Sequence, residues 1–118
     1  MSGKKFYALG RLKTGERNKT EAAYEAYLRI LLAAGEITWF KFEGLKLRLA
    51  DNTFLTVDFF VMTSSGELQA HDVKGGFITE DANVKMKVAA DMYPFRFFLV
   101  RAKAKKNGGG WDIKEVSA

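Results

Sequence analysis

Residues 54–74 read FLTVDFFVMTSSGELQAHDVK, and this stretch decides the fold that we expect for the whole chain. Its first half is apolar enough for a buried strand over residues 54–62, yet it carries Asp58 in the middle. A polar turn leads to a second predicted strand, residues 68–74, which contains Asp72 and Lys74 near its end. Because side chains alternate along a strand, these two project to the same side. Two carboxylates and one ammonium group can therefore converge on the sheet, which suits a divalent cation held against a phosphate.

Each of these side chains also has a purely structural interpretation. Asp58 could reach solvent from a strand end, or cap a loop. Asp72 and Lys74 could form an ordinary ion pair at a sheet edge. Gly75-Gly76 directly after Lys74 favours a ligand site, because two glycines would leave the strand end open to close backbone approach.

Composition narrows the class of protein. A chain of 118 residues with 47% hydrophobic content and ten Phe suits one domain with a real core. The lack of Cys excludes thiolate metal sites and fits a reducing cytoplasm, while a single His excludes the usual multi-histidine zinc sites. No apolar run reaches the ~18 residues of a membrane span. The net charge of +5 is compatible with nucleic acid, although a solvated surface with a slight basic excess would have the same charge.

The remaining pattern predicts an α/β fold with a central mixed β-sheet flanked by helices. We expect a basic N-terminal arm over residues 1–17 and a single domain over residues 18–118. The predicted order is α-β-β-β-β-α-β-β: helix 19–34, strands 37–42, 45–49, 54–62 and 68–74, helix 81–92, and strands 95–100 and 111–116. Short turns predict antiparallel neighbours among the early strands, including a pairing of the first two across Glu43-Gly44. The β-α-β passage over residues 68–100 predicts a parallel pair.

A third carboxylate, Glu21, lies at the start of the first helix. It stands three residues before Tyr24 and so begins the apolar stripe that faces the core. Asn18 is a good N-cap, and Glu three residues after an N-cap is also typical of a capping box. A capping Glu folds back on Asn18, whereas a ligand Glu points at the sheet.

These motifs, in this order, resemble the PD-(D/E)XK nuclease superfamily over residues 18 to about 100. A helix with Glu21 precedes a strand with Asp58, and a strand with Asp72-Val73-Lys74 follows. The stretches NKTEAAY at residues 18–24 and GGGW at residues 108–111 are similar to small phage-associated members, and the chain also looks like the Holliday-junction resolvases of that superfamily. Two positions depart from its usual pattern: Val57 stands for Pro, and Asp72 for Glu.

The resemblance implies a restriction-endonuclease-like core and a catalytic set of Glu21, Asp58, Asp72 and Lys74. In that family pattern, Asp58 and Asp72 hold Mg²⁺, or alternatively Mn²⁺, with Glu21 helping directly or through water. Lys74 positions the attacking nucleophile and stabilises the transition state.

The function expected on this basis is that of a metal-dependent endonuclease acting on DNA, selective for branched or junction structure, working as a homodimer in the cytoplasm (the host's, if phage-encoded). A non-catalytic nucleic-acid-binding module on the same fold is the alternative, and a small protein-interaction factor is a third.

Six basic residues are candidates for DNA contacts. Arg101, Lys103 and Lys105 would share one face if the strand before them continues, and would form an ordinary basic loop if it does not. The other three lie on the two predicted helices, where a solvated helix face is the competing interpretation: Lys19, Lys85 and Lys87.

Overall fold

The computed structural model describes residues 17–75 and 80–117. Its two long helices are α1 (Lys19–Ala33) and α2 (Glu80–Met92). Its strands are β1 (Ile37–Phe42), β2 (Lys46–Ala50), β3 (Thr53–Thr56), β4 (Phe59–Thr63), β5 (Leu68–Lys74), β6 (Arg96–Ala102) and β7 (Trp111–Val116). A short 3-10 helix, Lys105–Asn107, lies between β6 and β7. The predicted arm, apart from Arg17, and Gly76 lie outside the described residues.

Within the described residues, the central sheet has five strands in the order β1-β4-β5-β6-β7, and β2 and β3 form a separate two-stranded sheet. Neighbours in the central sheet are antiparallel except β5 and β6, which are parallel and joined through α2. The predicted α/β class, the mixed sheet and the parallel pair are therefore confirmed. Over the described ranges, neither helix is both long and apolar enough to cross a membrane.

Helices cover both faces of this sheet because successive residues of β4 point in opposite directions. Phe59 and Val61 pack in the cluster that contains Tyr24 and Leu28 of α1. Phe60, between them, packs in the cluster that contains residues of α2 and of the two-stranded sheet. Burial on both faces explains the unbroken apolar run of β4.

The prediction of one continuous strand over residues 54–62 is wrong. β3 ends at Thr56, β4 begins at Phe59, and Asp58 lies in the bend between them. In β3, one buried residue alternates with exposed neighbours, as suits a half-exposed hairpin, whereas the first three residues of β4 are all buried. The chain thus changes sheet at Asp58, and this carboxylate stands at a strand start rather than inside a strand.

The predicted pairing of the first two strands is also wrong. β1 pairs with β4, and β2 pairs with β3. At the end of β1, Glu43 adopts a positive φ of 46°, and its N–H donates to the carbonyl of Asp58 at 2.7 Å. This bond closes β1 against the start of β4, while the rings of Phe40 and Phe42 pack on Phe59. Burial of those rings favours the central sheet over a local hairpin.

The helix predictions agree with the structure to within one residue at each end. The capping box at α1 is present in full: Asn18 Oδ1 accepts from the N–H of Glu21 at 2.8 Å, and Glu21 Oε1 accepts from the N–H of Asn18 at 2.9 Å. Gly35 follows α1 with a φ of 79°, a left-handed conformation that glycine adopts without strain.

Candidate active site

Two carboxylates meet at one end of the central sheet. β4 and β5 are antiparallel, so the bend before Phe59 lies beside the end of β5. Asp58 Oδ2 accepts a hydrogen bond from the backbone N–H of Val73 at 2.7 Å, and the neighbouring Asp72 is close enough for its charge to act on Asp58. The structure therefore brings together the two aspartates that the sequence placed on separate strands.

Lys74 completes this cluster. Its Nζ lies 3.0 Å from Asp72 Oδ2, and Asp72 itself is only 4% exposed. The two residues share a strand face, as their spacing predicts. An ion pair with one nearly buried partner is poorly screened by solvent, so it orients the ammonium group more firmly than a surface pair would.

The environment of the cluster disfavours the ionised form of Asp58. Burial, then the charge of Asp72, raise the pKa of Asp58 to about 9, although the N–H of Val73 acts in the opposite direction. For Lys74, burial lowers the pKa, but the charges of Asp72 and Asp58 outweigh it, so the net pKa is raised. Lys74 is consequently a cation at neutral pH.

Two neighbouring carboxylates repel each other when both are ionised, and a divalent cation removes that repulsion as a proton would. Carboxylate oxygens are the ligands that Mg²⁺ and Mn²⁺ prefer. The donor set of Asp58 and Asp72 therefore suits such an ion. Among the residues that the structure describes, no three or more His, Cys, Asp or Glu side chains are arranged to hold a metal ion.

Glu21 lies near this cluster, but its carboxylate is hydrogen-bonded at the start of α1. Its carboxylate closes the capping box with Asn18, which is the structural alternative for this residue. Its charge nevertheless contributes to raising the pKa of both Asp58 and Lys74. The structure thus brings Glu21 within electrostatic range of the predicted site without turning its side chain toward a shared ligand.

The start of α1 approaches the end of β5 closely. A Cβ atom added at Gly75 would lie 3.1 Å from Thr20 Oγ1. We expected a ligand to approach the backbone closely at Gly75, but the start of α1 lies there instead. A side chain at this position would require the Thr20 hydroxyl to shift by a few tenths of an ångström.

The predicted nucleic-acid-binding residues do not form one stripe. β6 ends at Ala102, so Arg101 alone lies in the strand, while Lys103 and Lys105 belong to the following exposed segment. The alternative of a basic loop is therefore the correct one for those two lysines. Lys19 is exposed at the start of α1; on α2, Lys87 is exposed and Lys85 half-buried. A role for these residues in binding nucleic acid stays a prediction.

A further cation that sequence reasoning missed, Lys114, belongs to the same face of the sheet. Across β5, β6 and β7 the register aligns Asp72 with Leu99 and Lys114, and Lys74 with Arg101 and Asp112. The residues of β6 and β7 in these two rows line an open depression of about 280 Å³. Alternation along β7 puts Lys114 and Asp112 on one face of that strand, but only the strand order β5-β6-β7 shows that this is the sheet face that carries Lys74.

His71 lies on the opposite face and is a packing residue. Its Nδ1 is 2.7 Å from the hydroxyl oxygen of Tyr24, and its Nε2 is 2.9 Å from Gln69 Oε1. Burial lowers the pKa of His71 to about 4, so the ring is neutral at physiological pH. These contacts and its burial give His71 a structural role in the core.

Comparisons of the chain with models of protein families, with curated proteins and with solved structures gave no match.

Proposed function

We propose that this protein is a divalent-metal-dependent endonuclease with a restriction-endonuclease-like core that hydrolyses phosphodiester bonds in DNA. The observation that carries the proposal is the convergence of Asp58 and Asp72 at one end of the sheet, with the ammonium group of Lys74 at 3.0 Å from Asp72. The motif order that resembles PD-(D/E)XK nucleases supports it.

In this proposal, Asp58 and Asp72 would hold Mg²⁺ or Mn²⁺ through their carboxylate oxygens. A bound divalent cation neutralises charge on the scissile phosphate and acidifies water. Lys74, protonated at neutral pH, stabilises the negative charge that grows on the phosphate oxygens, and so acts as a cation rather than as a base. The guanidinium of Arg101, in the next strand, extends the positive surface on which a neighbouring phosphate is held.

Glu21 acts on this site without leaving its cap. Its carboxylate anchors the start of α1, which packs against the end of β5 at Gly75. Its negative charge also favours a cation beside Asp58 and Asp72, because the three carboxylates repel one another when no cation is bound.

Resemblance to the Holliday-junction resolvases extends the proposal to branched DNA as substrate and to a homodimer as the active form, since two symmetric cuts need two symmetric sites. The test is incubation of the protein with a mobile four-way junction and with linear duplex, in Mg²⁺ or in EDTA. We expect metal-dependent cleavage of the junction that is lost in Asp72→Asn and in Lys74→Ala.

The matched control is Asp112→Asn, which removes a carboxylate from the same sheet face but outside the pair. Activity should survive it. Cleavage that persists in both the Asp72 and the Lys74 variants would rule out the proposed site.

A non-catalytic nucleic-acid-binding module on the same fold is the second candidate. The engagement of Glu21 in the capping box favours it, because Asp58 and Asp72 are then the two described carboxylates left for an ion. Salt-dependent DNA binding without cleavage in either Mg²⁺ or Mn²⁺ would support this alternative.

A further inference from the structure

The central sheet ends on one side at β7, and this edge is open. Over the part of the chain that the structure describes, β7 pairs with β6 alone. Its four middle residues are exposed, and one of them, Ile113, is a large apolar side chain with 38% exposure. The other three carry charge: Asp112, Lys114 and Glu115. An open edge presents unpaired N–H and C=O groups to which a further strand can bind.

The ladder between β6 and β7 determines which backbone groups point outward. Just beyond the two strands, the N–H of Lys103 donates to the carbonyl of Gly110 at 3.0 Å, and the register continues from there without a shift. Hydrogen-bonded and non-hydrogen-bonded pairs alternate in an antiparallel ladder, so every second residue of β7 turns its N–H and C=O away from β6. These residues are Trp111, Ile113 and Glu115.

The charges along β7 favour one way of pairing this edge with a second copy of the chain. In a symmetric antiparallel pair centred on Ile113, Asp112 of each copy lies opposite Lys114 of the other. A centre on Asp112, Lys114 or Glu115 would instead place that residue opposite its own copy, and an in-register parallel pair would do so for all three. Opposite charges across a ladder are stabilising and like charges are destabilising, so the edge is complementary to itself in the register centred on Ile113.

The outward backbone groups fit the same register. With Ile113 opposite Ile113 and Trp111 opposite Glu115, every outward N–H meets an outward C=O of the second copy. Asp112 and Lys114 then form the non-hydrogen-bonded pairs, in which the Cα atoms approach to about 4.5 Å and the side chains lie closest. Backbone pairing and charge pairing therefore agree.

The opposite edge of the sheet, β1, is less suited to such pairing. Its register with β4 is irregular between Ile37 and Trp39, and a bulge is one of the features that protect an edge from further strands. In the regular part of β1, a symmetric pair centred on Lys41 would oppose two ammonium groups.

Charge and backbone geometry at β7 thus select the same partner, a second copy of the chain. We propose that two copies associate by antiparallel pairing of β7 with β7, centred on Ile113, so that their central sheets become one continuous sheet.

This association places both candidate active sites on one face. Asp112 and Lys114 share a sheet face with Asp72 and Lys74, and residues directly opposite each other in an antiparallel ladder also share a face. β5 and its copy are five strand spacings apart, roughly 24 Å at ~4.8 Å each. Two sites on one face suit two symmetric cuts in one branched DNA, a use that rests on the proposed function. The pairing itself requires neither metal nor DNA.

The test is sedimentation velocity of the full chain in EDTA, without DNA, at low salt and over a range of protein concentrations. We expect the wild type to show a monomer–dimer equilibrium. Asp112→Lys puts lysine opposite lysine, and Lys114→Asp puts aspartate opposite aspartate. Each should weaken association about thirtyfold, because two symmetric contacts change from attraction to repulsion.

The symmetry of the pair also predicts two rescues. Asp112→Lys and Lys114→Asp combined in one chain restore opposite charges at both contacts, so the double variant should dimerise again. An equimolar mixture of the two single variants should form a mixed dimer, because the two lysines of one chain then face the two aspartates of the other.

Two matched controls reverse a charge at exposed positions outside β7: Glu36→Lys and Lys106→Asp. Neither should change association beyond about twofold, which corresponds to roughly 0.4 kcal/mol. The neutral variants Asp112→Asn and Lys114→Gln oppose no like charges and should remain dimeric. Thermal melts of every variant establish that each one is folded.

A wild type that stays monomeric at every concentration would overturn the proposal. A dimer that persists unchanged in both single variants would also overturn it, and so would a mixture of the two that associates no better than either alone. Failure of junction cleavage in Mg²⁺ would count against the nuclease alone, because association is measured in EDTA without DNA.

Discussion

Asp58→Asn should stabilise this protein in the absence of metal. In the cluster, the Asp58 carboxyl accepts from the N–H of Val73, and burial together with the neighbouring Asp72 disfavours its ionised form. An asparagine in the same place can accept from Val73 through its oxygen and donate to Asp72 through its amide nitrogen. It therefore reproduces the protonated form of Asp58 without having to retain a proton.

The size of the effect follows from the proton that Asp58 holds. Its ordinary pKa is 3.8, and burial together with Asp72 raises the pKa to about 9 in the fold. Because the folded-state pKa is the higher one, stability is fully present below pH ~4 and is lost as pH rises toward ~9. At about 1.4 kcal/mol for each pH unit, the wild type loses up to roughly 4 kcal/mol by pH 7. Asp58 is only partly buried, and water access reduces this loss, so we expect Asp58→Asn to gain about 2 kcal/mol at pH 7.

The assay is urea unfolding in EDTA at about pH 4.5 and about pH 7.5. Most of the loss of stability expected up to neutral pH falls between these two values. The difference between variant and wild type should be near zero at the lower pH and favour the variant at the higher one. Adding Mg²⁺ should reverse the order, because the cation stabilises only a fold that binds it. Asp58→Ala is the control, since it leaves the N–H of Val73 without its side-chain acceptor and should cost about 1 to 3 kcal/mol.

An Asp58→Asn variant less stable than wild type at both pH values would refute the reasoning, since it would mean that Asp58 is ionised in the fold. An equal gain at both pH values would refute it as well, because the effect would then not arise from a bound proton.

Three further predictions address the surroundings of the pair. The wild type should lose up to ~3 kcal/mol of stability as pH falls from 6.5 to about 4, because the pKa of His71 is lowered in the fold and the unfolded chain therefore binds this proton first. His71→Gln should remove that loss. Urea unfolding across this pH range checks the prediction, and parallel stability curves for the two proteins would contradict it. Glu21→Gln retains an acceptor for the N–H of Asn18, so the melting temperature should be unchanged. Loss of the negative charge should raise the Mg²⁺ concentration needed for cleavage about fivefold. A lowered melting temperature with unaltered Mg²⁺ dependence would leave Glu21 with a capping role only. Lys114→Gln should weaken binding of duplex DNA equally across sequences and should make the slope of log affinity against log salt concentration shallower by about 1. Lys46→Gln, on the two-stranded sheet, should do neither. Equal effects of the two substitutions would show that only net charge matters.

Local patterns predicted those elements whose formation depends on neighbours in sequence. The capping box of Asn18 and Glu21, the apolar stripe of α1 and the turn between β4 and β5 all follow from residues a few positions apart. The prediction of one continuous strand over residues 54–62 was wrong because the break in it depends on which sheet each part joins. Its apolar run is continuous, but one part belongs to a half-exposed hairpin and the other to a buried sheet, and hydrophobicity alone does not mark the change.

For the candidate site, alternation along β5 was enough to put Asp72 and Lys74 on one face. Their meeting with Asp58 depends on the pairing of β4 with β5, and the hairpin turn between them made that pairing predictable. Lys114 could not be found in this way, because it reaches the same face only through the order β5-β6-β7.

The sequence by itself determined the α/β class, the positions of both helices and the identity of the two aspartates and the lysine, because periodicity, caps and turns act over a few residues. Only the tertiary structure decided that Asp58 stands at a strand start, that Glu21 closes a cap and that cations from distant strands share a face. Those features arise from pairing and packing between segments far apart in the chain, where burial and hydrogen bonding to Val73 determine the conformation rather than local propensity.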